Sequence, residues 1–252
     1  MYHTVFILDF SKGDQKMENI IQNCDMRELL REIPDHSVDM ILTDPPYGIT
    51  KNEWDKIFPI PEMWEHFNRI LKPNGAAVIF CSGIFEACIV YANRENYKYR
   101  YVWDKHYKRN FLNANRQPLR QTEDIAVFYR RQCTYNPQTH IGRFREKGGS
   151  RGSENYSKYT PKSNKNNIYY PTDLLDFPGV ANPDVTHPTE KPVELLEFLI
   201  KTYTNPGEIV FDGFAGSGST CVAAMNTGRR FIASELNKDY YELCINRIGD
   251  TK

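Results

Sequence analysis

The stretch Thr43-Asp44-Pro45-Pro46-Tyr47-Gly48 constrains the fold more than any other part of the chain. It follows the apolar run 38–42, which predicts a short buried strand with Asp44 at its carboxyl end. Two consecutive prolines fix two φ angles and carry no N–H group, so the turn is stiff. It presents a carboxylate, a fixed carbonyl and an aromatic ring. The tetrad alone leaves two interpretations open, a simple turn and a catalytic loop.

Strands and helices alternate on both sides of this stretch. Apolar and β-branched runs predict strands over 19–24, 38–42, 76–81, 97–103, 125–129, 209–212 and 231–233. Apolar residues at helical spacing predict helices over 26–33, 60–71, 84–92, 219–226 and 240–248, and another that starts after Pro192. Such an alternation predicts the α/β class with a mostly parallel sheet.

A glycine-rich stretch, 212–220, lies between a predicted strand and a predicted helix. Its glycines allow a tight turn and let a ligand approach the backbone. The stretch lacks the Lys-Ser/Thr of a phosphate-binding loop and the third glycine of the dinucleotide fingerprint. The next predicted strand ends at Glu235, where an acid either accepts hydrogen bonds from ribose hydroxyls or caps a helix at the surface.

Four acids each follow or end a predicted strand: Asp25, Asp44, Asp212 and Glu235. Ligands of open α/β sheets bind at the carboxyl ends of the strands. We therefore expect these four acids to meet at one edge of the sheet, although they span almost the whole chain.

The net charge of zero hides an asymmetry along the chain. Residues 94–170 hold 17 Lys and Arg against 6 Asp and Glu, so the remainder is acidic. A basic middle region indicates either a face that binds a polyanion or a solvated loop region. Residues 132–184 break the alternation of strands and helices, and 142–167 within them are rich in Gly, Ser, Asn, Lys and Arg. Nothing in 132–184 is long or periodic enough for a core, which predicts an inserted, partly mobile segment.

The six cysteines show neither a CxxC pair nor the spacing of zinc ligands. We therefore expect free thiols in a reducing cytoplasm, and no metal site. Residues 1–16 lack a basic start and a cleavage site of small residues, so they do not predict a signal peptide. No apolar run approaches the ~20 residues of a membrane span.

Together, the motifs resemble those of the S-adenosylmethionine-dependent DNA amino-methyltransferases, which act on exocyclic nitrogens. Asp44-Pro45-Pro46-Tyr47 resembles their catalytic tetrad, and Phe214-Ala215-Gly216-Ser217-Gly218 resembles their FxGxG cofactor loop. His187-Pro188-Thr189-Glu190-Lys191-Pro192 looks like the segment that precedes this loop. The tetrad comes first in the chain, as in the beta subgroup. The resemblance covers roughly 19–129 and 186–248.

This resemblance implies a Rossmann-like, doubly wound fold with a circularly permuted motif order and an inserted target-recognition region. It divides the chain into an N-terminal extension of unknown role (1–16), a catalytic part (17–131), a target-recognition insertion (132–185) and a cofactor-binding part (186–252). The second and fourth stretches would form one methyltransferase domain.

The resemblance also implies roles for single residues. Glu235 would hold the ribose of S-adenosylmethionine and Asp25 its adenine amino group, with Cys24 where a glycine is more usual. Thr189 and Lys191 would lie near its carboxylate. The remaining residues expected around the cofactor are Asp44, Asp212, Phe214, Ala215, Gly216, Ser217, Gly218 and Thr220.

The implied activity is methyl transfer to N6 of an adenine flipped out of double-stranded DNA, with Asp44, Pro45, Pro46 and Tyr47 as the catalytic residues. Asp44 and the carbonyl of Pro45 would accept the two amino hydrogens, and Tyr47 would stack on the base. The alternatives are N4 of cytosine, an RNA base, a protein glutamine, or an inactive DNA-binding relative. The enzyme would be bacterial, archaeal or phage-encoded, and the sequence leaves monomer and homodimer open.

Overall fold

The computed structural model of the 252-residue chain describes residues 19–48, 57–147, 164–180 and 190–250. The N-terminal extension 1–16 and Thr189 lie outside these residues. The strands are β1 (Ile20–Gln22), β2 (Val38–Thr43), β3 (Leu71–Cys81), β4 (Tyr97–Arg109), β5 (Arg120–Phe128), β6 (His140–Lys147), β7 (Asn164–Tyr169), β8 (Leu174–Asp176), β9 (Ile209–Asp212) and β10 (Arg230–Ser234). The helices are α1 (Met26–Glu32), α2 (Ile60–Ile70), α3 (Gly83–Ala92), α4 (Val193–Tyr203), α5 (Ser219–Asn226) and α6 (Lys238–Asp250).

Eight strands form the main sheet, in the order β1-β10-β9-β2-β3-β5-β4-β8. The first five pair in parallel, β5 is antiparallel to both β3 and β4, and β8 is parallel to β4. The predicted mixed α/β class with a mostly parallel sheet is therefore confirmed. The strand order reverses between β9 and β2, which puts a topological switch point at the centre of the sheet.

Both faces of the sheet are covered by helices. Met40 and Leu42 of β2 pack into one core cluster with α4 and α5, while Ile41 between them packs into another with α1, α2 and α3. This alternation follows from the strand geometry, because successive side chains point to opposite faces. A central parallel strand buried on both faces needs a continuous apolar run, which 38–42 provides apart from Asp39.

Several predicted element boundaries were wrong. The first strand is limited to β1, whereas β3 begins at Leu71, five residues before the predicted start. Leu71 pairs with Val38 of β2 ahead of an irregularity in the register, so strand pairing overrides the Pro73 and Gly75 signals. Such pairing depends on a partner strand and leaves no local pattern.

Contacts divide the chain into two compact units, one made of Met1–Asn136 with Asp173–Lys252 and the other of Pro137–Thr172. The first contains the main sheet. Cys133 and Leu175, from the two ends of the predicted insertion, join its core, so the expectation of no core residues there fails for these two. Leu175 belongs to β8, and Trp103 Nε1 donates to the carbonyl of Phe177 beside it at 2.7 Å.

The second unit contains the antiparallel pair β6–β7. Tyr169 stacks on His140 with ring centroids 5.4 Å apart, and the Arg145 guanidinium lies 4.1 Å from the Tyr169 ring centroid. Among the described residues, no helix is both long and apolar enough to cross a membrane.

Candidate active site

The four acids at the strand ends line one cavity of about 890 Å³. They are Asp25, Asp44, Asp212 and Glu235, which follow or end β1, β2, β9 and β10. These four strands are neighbours in the sheet. The structure therefore brings together residues that lie up to 210 positions apart in sequence, as the strand-end argument predicts.

The Asp44–Tyr47 turn leaves β2 directly into this cavity, and all four of its residues line it. The Tyr47 hydroxyl donates to Asp44 Oδ1 at 2.6 Å. The Tyr47 ring stacks on Phe85 of α3, with centroids 5.0 Å apart. Lys191 Nζ forms an ion pair with Asp44 Oδ2. Each carboxylate oxygen of Asp44 thus has a donor, and the turn holds it in one orientation.

A second acid, Glu123 of β5, joins this group through three donors. Its oxygens accept from the Tyr47 hydroxyl at 3.1 Å and from Lys105 Nζ at 3.2 Å, and Lys191 Nζ lies 3.3 Å from Oε1. The side chains of Lys105, Lys191 and Glu123 are about one-tenth exposed. Two acids and two lysines therefore form a mostly buried network, in which Lys191 and Tyr47 each contact both acids.

Burial and the contacts within this network shift the pKa values of its members. Burial raises the pKa of Asp44, Lys191 opposes the rise, and nearby Glu123 adds to it. Burial also acts to raise the pKa of Glu123, but the attraction of Lys191 and Lys105 outweighs it and lowers that pKa. For Lys191 the two acids outweigh burial, so its pKa is raised. Burial and the neighbouring acids hold the pKa of the Tyr47 hydroxyl well above its ordinary value, so it stays a hydrogen-bond donor.

The glycine loop after β9 is fixed by Asp212. Its Oδ1 accepts from the Thr43 hydroxyl at 2.7 Å and from the backbone N–H of Phe214 at 3.0 Å, which ties the loop to the end of β2. Phe214, Ala215, Gly216, Ser217 and Thr220 line the cavity. Gly218 is not among the lining residues. It has a φ of +82°, and an added Cβ would lie 2.3 Å from the Cys244 sulfur.

Glu235 accepts from two backbone donors, the N–H of Gly216 and the N–H of Asn237, each at 2.8 Å. Burial raises its pKa, and these hydrogen bonds oppose the rise. Asp25 caps α1 by accepting from the N–H of Arg27 at 2.8 Å. Cys24 lies beside it on the cavity wall. Both acids thus hold backbone in place and still face the cavity.

Some residues that line the cavity belong to none of the sequence motifs. The sequence prediction missed Glu123 and Lys105. A weak local signal for Glu123 was the acidic pair Glu123-Asp124, which stands directly before the apolar run 125–128. Phe58 was also missed. Its ring makes an edge contact with Phe214 at 6.3 Å, and the Arg27 guanidinium lies 4.1 Å from its centroid. Within the described ranges, no group of three or more His, Cys, Asp or Glu side chains is placed to hold a metal ion.

The mostly parallel sheet, covered by helices on both faces and with a cavity at the carboxyl ends of its strands, has the Rossmann-like fold of S-adenosylmethionine-dependent methyltransferases. The sequence profile described as DNA methylase matches residues 38–246, and the chain belongs to this family.

Two bacterial relatives align with this chain over most of their length. DNA adenine methyltransferase YhdJ of Escherichia coli (strain K12) is 32% identical over 235 residues, which are 87% of this chain and 79% of the relative. Type II methyltransferase M.BglII of Bacillus subtilis is 28% identical over 260 residues, covering 89% and 67% of the two chains.

Solved structures have the same fold. The M1.HpyAVI–SAM complex superposes with a TM-score of 0.61 at 26% identity, covering 90% of this chain and 98% of that one. The cytosine-N4-specific PvuII DNA methyltransferase superposes with a TM-score of 0.64 at 18% identity, covering 93% and 91%, and supports the fold alone.

Proposed function

We propose that this DNA methylase transfers the methyl group of S-adenosylmethionine to the N6 amino group of an adenine flipped out of duplex DNA. The observation that carries the proposal is the position of the Asp44–Tyr47 turn beside the glycine loop and Glu235 on one cavity. Methyl transfer needs donor and acceptor in line and in contact, so both must be bound side by side. The order of the motifs supports assignment to the beta subgroup.

The cavity residues fit the cofactor. An ionised carboxylate has about four acceptor sites, and the two backbone donors to Glu235 leave room for the hydroxyls of a ribose. Gly216 lines the cavity with a φ of +53°, and its lack of a side chain lets a ligand approach the backbone. Asp25 is proposed to accept from the adenine amino group. When bound, S-adenosylmethionine supplies an electrophilic sulfonium methyl group.

Lys191 has two candidate roles. The family resemblance places it with Thr189 near the cofactor carboxylate, whereas its contacts favour a role toward Asp44. In the second role Lys191 would be a positioning residue that keeps Asp44 ionised.

The chain's own groups account for the activation of the amino nitrogen. The lone pair of an exocyclic amine is delocalised into the ring, which makes the nitrogen a poor nucleophile. Asp44 would accept one amino hydrogen and the carbonyl of Pro45 the other, drawing the nitrogen toward a tetrahedral shape. Tyr47 would stack on the base while its hydroxyl orients Asp44. The proton released from the product nitrogen passes to Asp44 or to water.

The choice of adenine over cytosine draws on the relatives. The Escherichia coli relative is named as an adenine methyltransferase, and an Asp in the first tetrad position is usual in adenine-specific members of the resembled family. N4 of cytosine is the second candidate. Digestion of methylated DNA to nucleosides followed by mass spectrometry should give N6-methyldeoxyadenosine, and N4-methyldeoxycytidine as the main product would overturn this choice.

Duplex DNA is the proposed substrate because of family membership and the basic region 94–170. Residues 132–185 are proposed to recognise the target sequence. Transfer of a tritiated methyl group to duplex DNA, RNA and protein should occur on duplex DNA only, with Asp44→Ala as the inactive control. Transfer to RNA or protein instead would replace the substrate class, and no transfer at all would favour an inactive DNA-binding relative.

A further inference from the structure

The connection between β4 and β5, residues 110–119, extends from the wall of the candidate active site. Tyr107 and Arg109 at the end of β4, and Arg120 and Thr122 at the start of β5, all line the cavity. Arg109 pairs with Arg120 after an irregularity in the register that follows the pair of Asp104 and Thr122, so residues 110–119 connect the ends of a hairpin. We call residues 110–119 the β4–β5 tip.

The tip is ordered by its own hydrogen bonds. Asn110 has a φ of +71°, in the left-handed region, and starts the 3-10 turn Phe111–Asn113. Asn113 donates to Asn110 through its backbone N–H at 3.0 Å and through its side-chain amide at 2.7 Å. The N–H of Arg116 donates to the carbonyl of Asn113 at 2.8 Å. These bonds fix the direction in which the turn presents its side chains.

The turn presents two large apolar side chains to solvent. Phe111 is 75% exposed and Leu112 is 84% exposed. Single exposed apolar residues are common, but two neighbours on an internally hydrogen-bonded turn at the rim of a cavity form an apolar tip that a partner can cover.

The surroundings of the tip select the partner. Residues 106–122 contain Lys108, Arg109, Arg116 and Arg120 and no Asp or Glu, and all four cationic residues are exposed. A second copy of the chain on a two-fold axis would set these like charges against each other. A polyanion that also accepts apolar groups fits both properties, and duplex DNA offers phosphates outside and stacked bases inside.

We propose that the β4–β5 tip inserts into duplex DNA beside the target base, with Phe111 and Leu112 as an apolar wedge and the four cations on the phosphates. The wedge takes the stacking positions next to the extruded base and keeps the base in the cavity. This inference rests on the proposed function, because only an enzyme that acts inside the base stack needs such a wedge.

The test compares two duplexes of one sequence. Sequencing of DNA from an expressing host first identifies the methylated site. Synthetic duplexes then carry this site either fully paired or with a mismatch opposite the target base. A mismatch lowers the cost of extruding the base, so it should substitute for a missing wedge. The variant is Phe111→Ala with Leu112→Ala, and the matched control is Ile84→Ala with Tyr91→Ala, two exposed apolar residues of α3.

The wedge variant should lose about ten- to hundredfold in kcat/KM on the paired duplex and regain most of it on the mismatched one. The control should stay close to wild type on both, and all proteins should unfold at the same temperature. An unchanged rate of the wedge variant on the paired duplex would overturn the proposal. Equal losses on the two duplexes would overturn it too, because the tip would then serve binding or assembly. A wild-type enzyme that methylates neither duplex would refute the proposed function and this inference with it.

Discussion

Replacing Lys191 by Met tests how the buried network controls the charge of Asp44. Lys191 is the cation that contacts both acids, and its side chain is about 10% exposed. An opposite charge at ion-pair distance typically lowers the pKa of a carboxylate by about one to three pH units. Its removal should raise the pKa of Asp44 by a similar amount, on top of the rise that burial and Glu123 already cause.

The sign of the effect on activity follows from the role of the carboxylate. The ionised carboxylate of Asp44 is the stronger acceptor, because protonation removes its charge and turns one of its oxygens into a donor. Activity should therefore fall as the pH drops through the pKa of Asp44. This acidic limb should lie above the ordinary 3.8 in the wild type. In Lys191→Met it should move up by about one to three pH units, so the variant should lose activity at pH values where the wild type is still active and regain it at higher pH.

Removal of a negative charge beside Asp44, instead of a positive one, gives a second measurement. Glu123→Gln removes a negative charge that raises the pKa of Asp44, so the acidic limb should move to lower pH. The assay is the pH profile of kcat/KM for tritiated methyl transfer, with thermal unfolding as a check of folding. Lys201→Met, at a more exposed lysine paired with Glu197 on α4, is the matched control and should leave the profile unchanged.

Two results would refute this reasoning. One is a loss of activity in Lys191→Met that stays the same at every pH, which would indicate a purely structural role. The other is an unmoved acidic limb with weaker binding of S-adenosylmethionine, measured by calorimetry, which would assign Lys191 to the cofactor carboxylate instead.

Three further predictions concern other parts of the chain. Asp44→Ala should lower turnover by several orders of magnitude and change cofactor affinity by less than about tenfold, as measured by single-turnover kinetics and calorimetry; near-normal turnover would make the tetrad a simple turn. Gly218→Ala should lower the free energy of unfolding, measured in urea, by about 1–3 kcal/mol, because the φ of Gly218 is +82° and the added Cβ would be crowded. Gly249→Ala is the control and should leave this free energy unchanged, since the added Cβ would enter open space. Equal losses in the two variants would contradict the predicted strain at Gly218. Arg143→Gln should reduce the slope of log DNA affinity against log salt by about one, and an unchanged slope would mean that Arg143 is only solvated.

The sequence by itself determined the class of fold and the motif-bearing part of the candidate site. The run 38–42 before Asp44 and the strand before the glycine loop are local patterns, so their elements were found at or near the right places. The convergence of Asp25, Asp44, Asp212 and Glu235 also followed from sequence, because parallel strands bring their carboxyl ends to one edge.

Only the tertiary structure decided which groups surround Asp44. Glu123 stands 76 positions from Tyr47, and Lys191 stands 147 from Asp44. β5 runs antiparallel to β3, so Glu123 at its beginning reaches the same edge as the carboxyl ends of the parallel strands. Antiparallel strands often alternate apolar and polar residues, but β5 is buried on both faces over 125–128, so its apolar run is continuous like that of a parallel strand and does not reveal its direction. The charges that control the candidate catalytic acid therefore depend on strand direction, which is set by the pairing of distant segments.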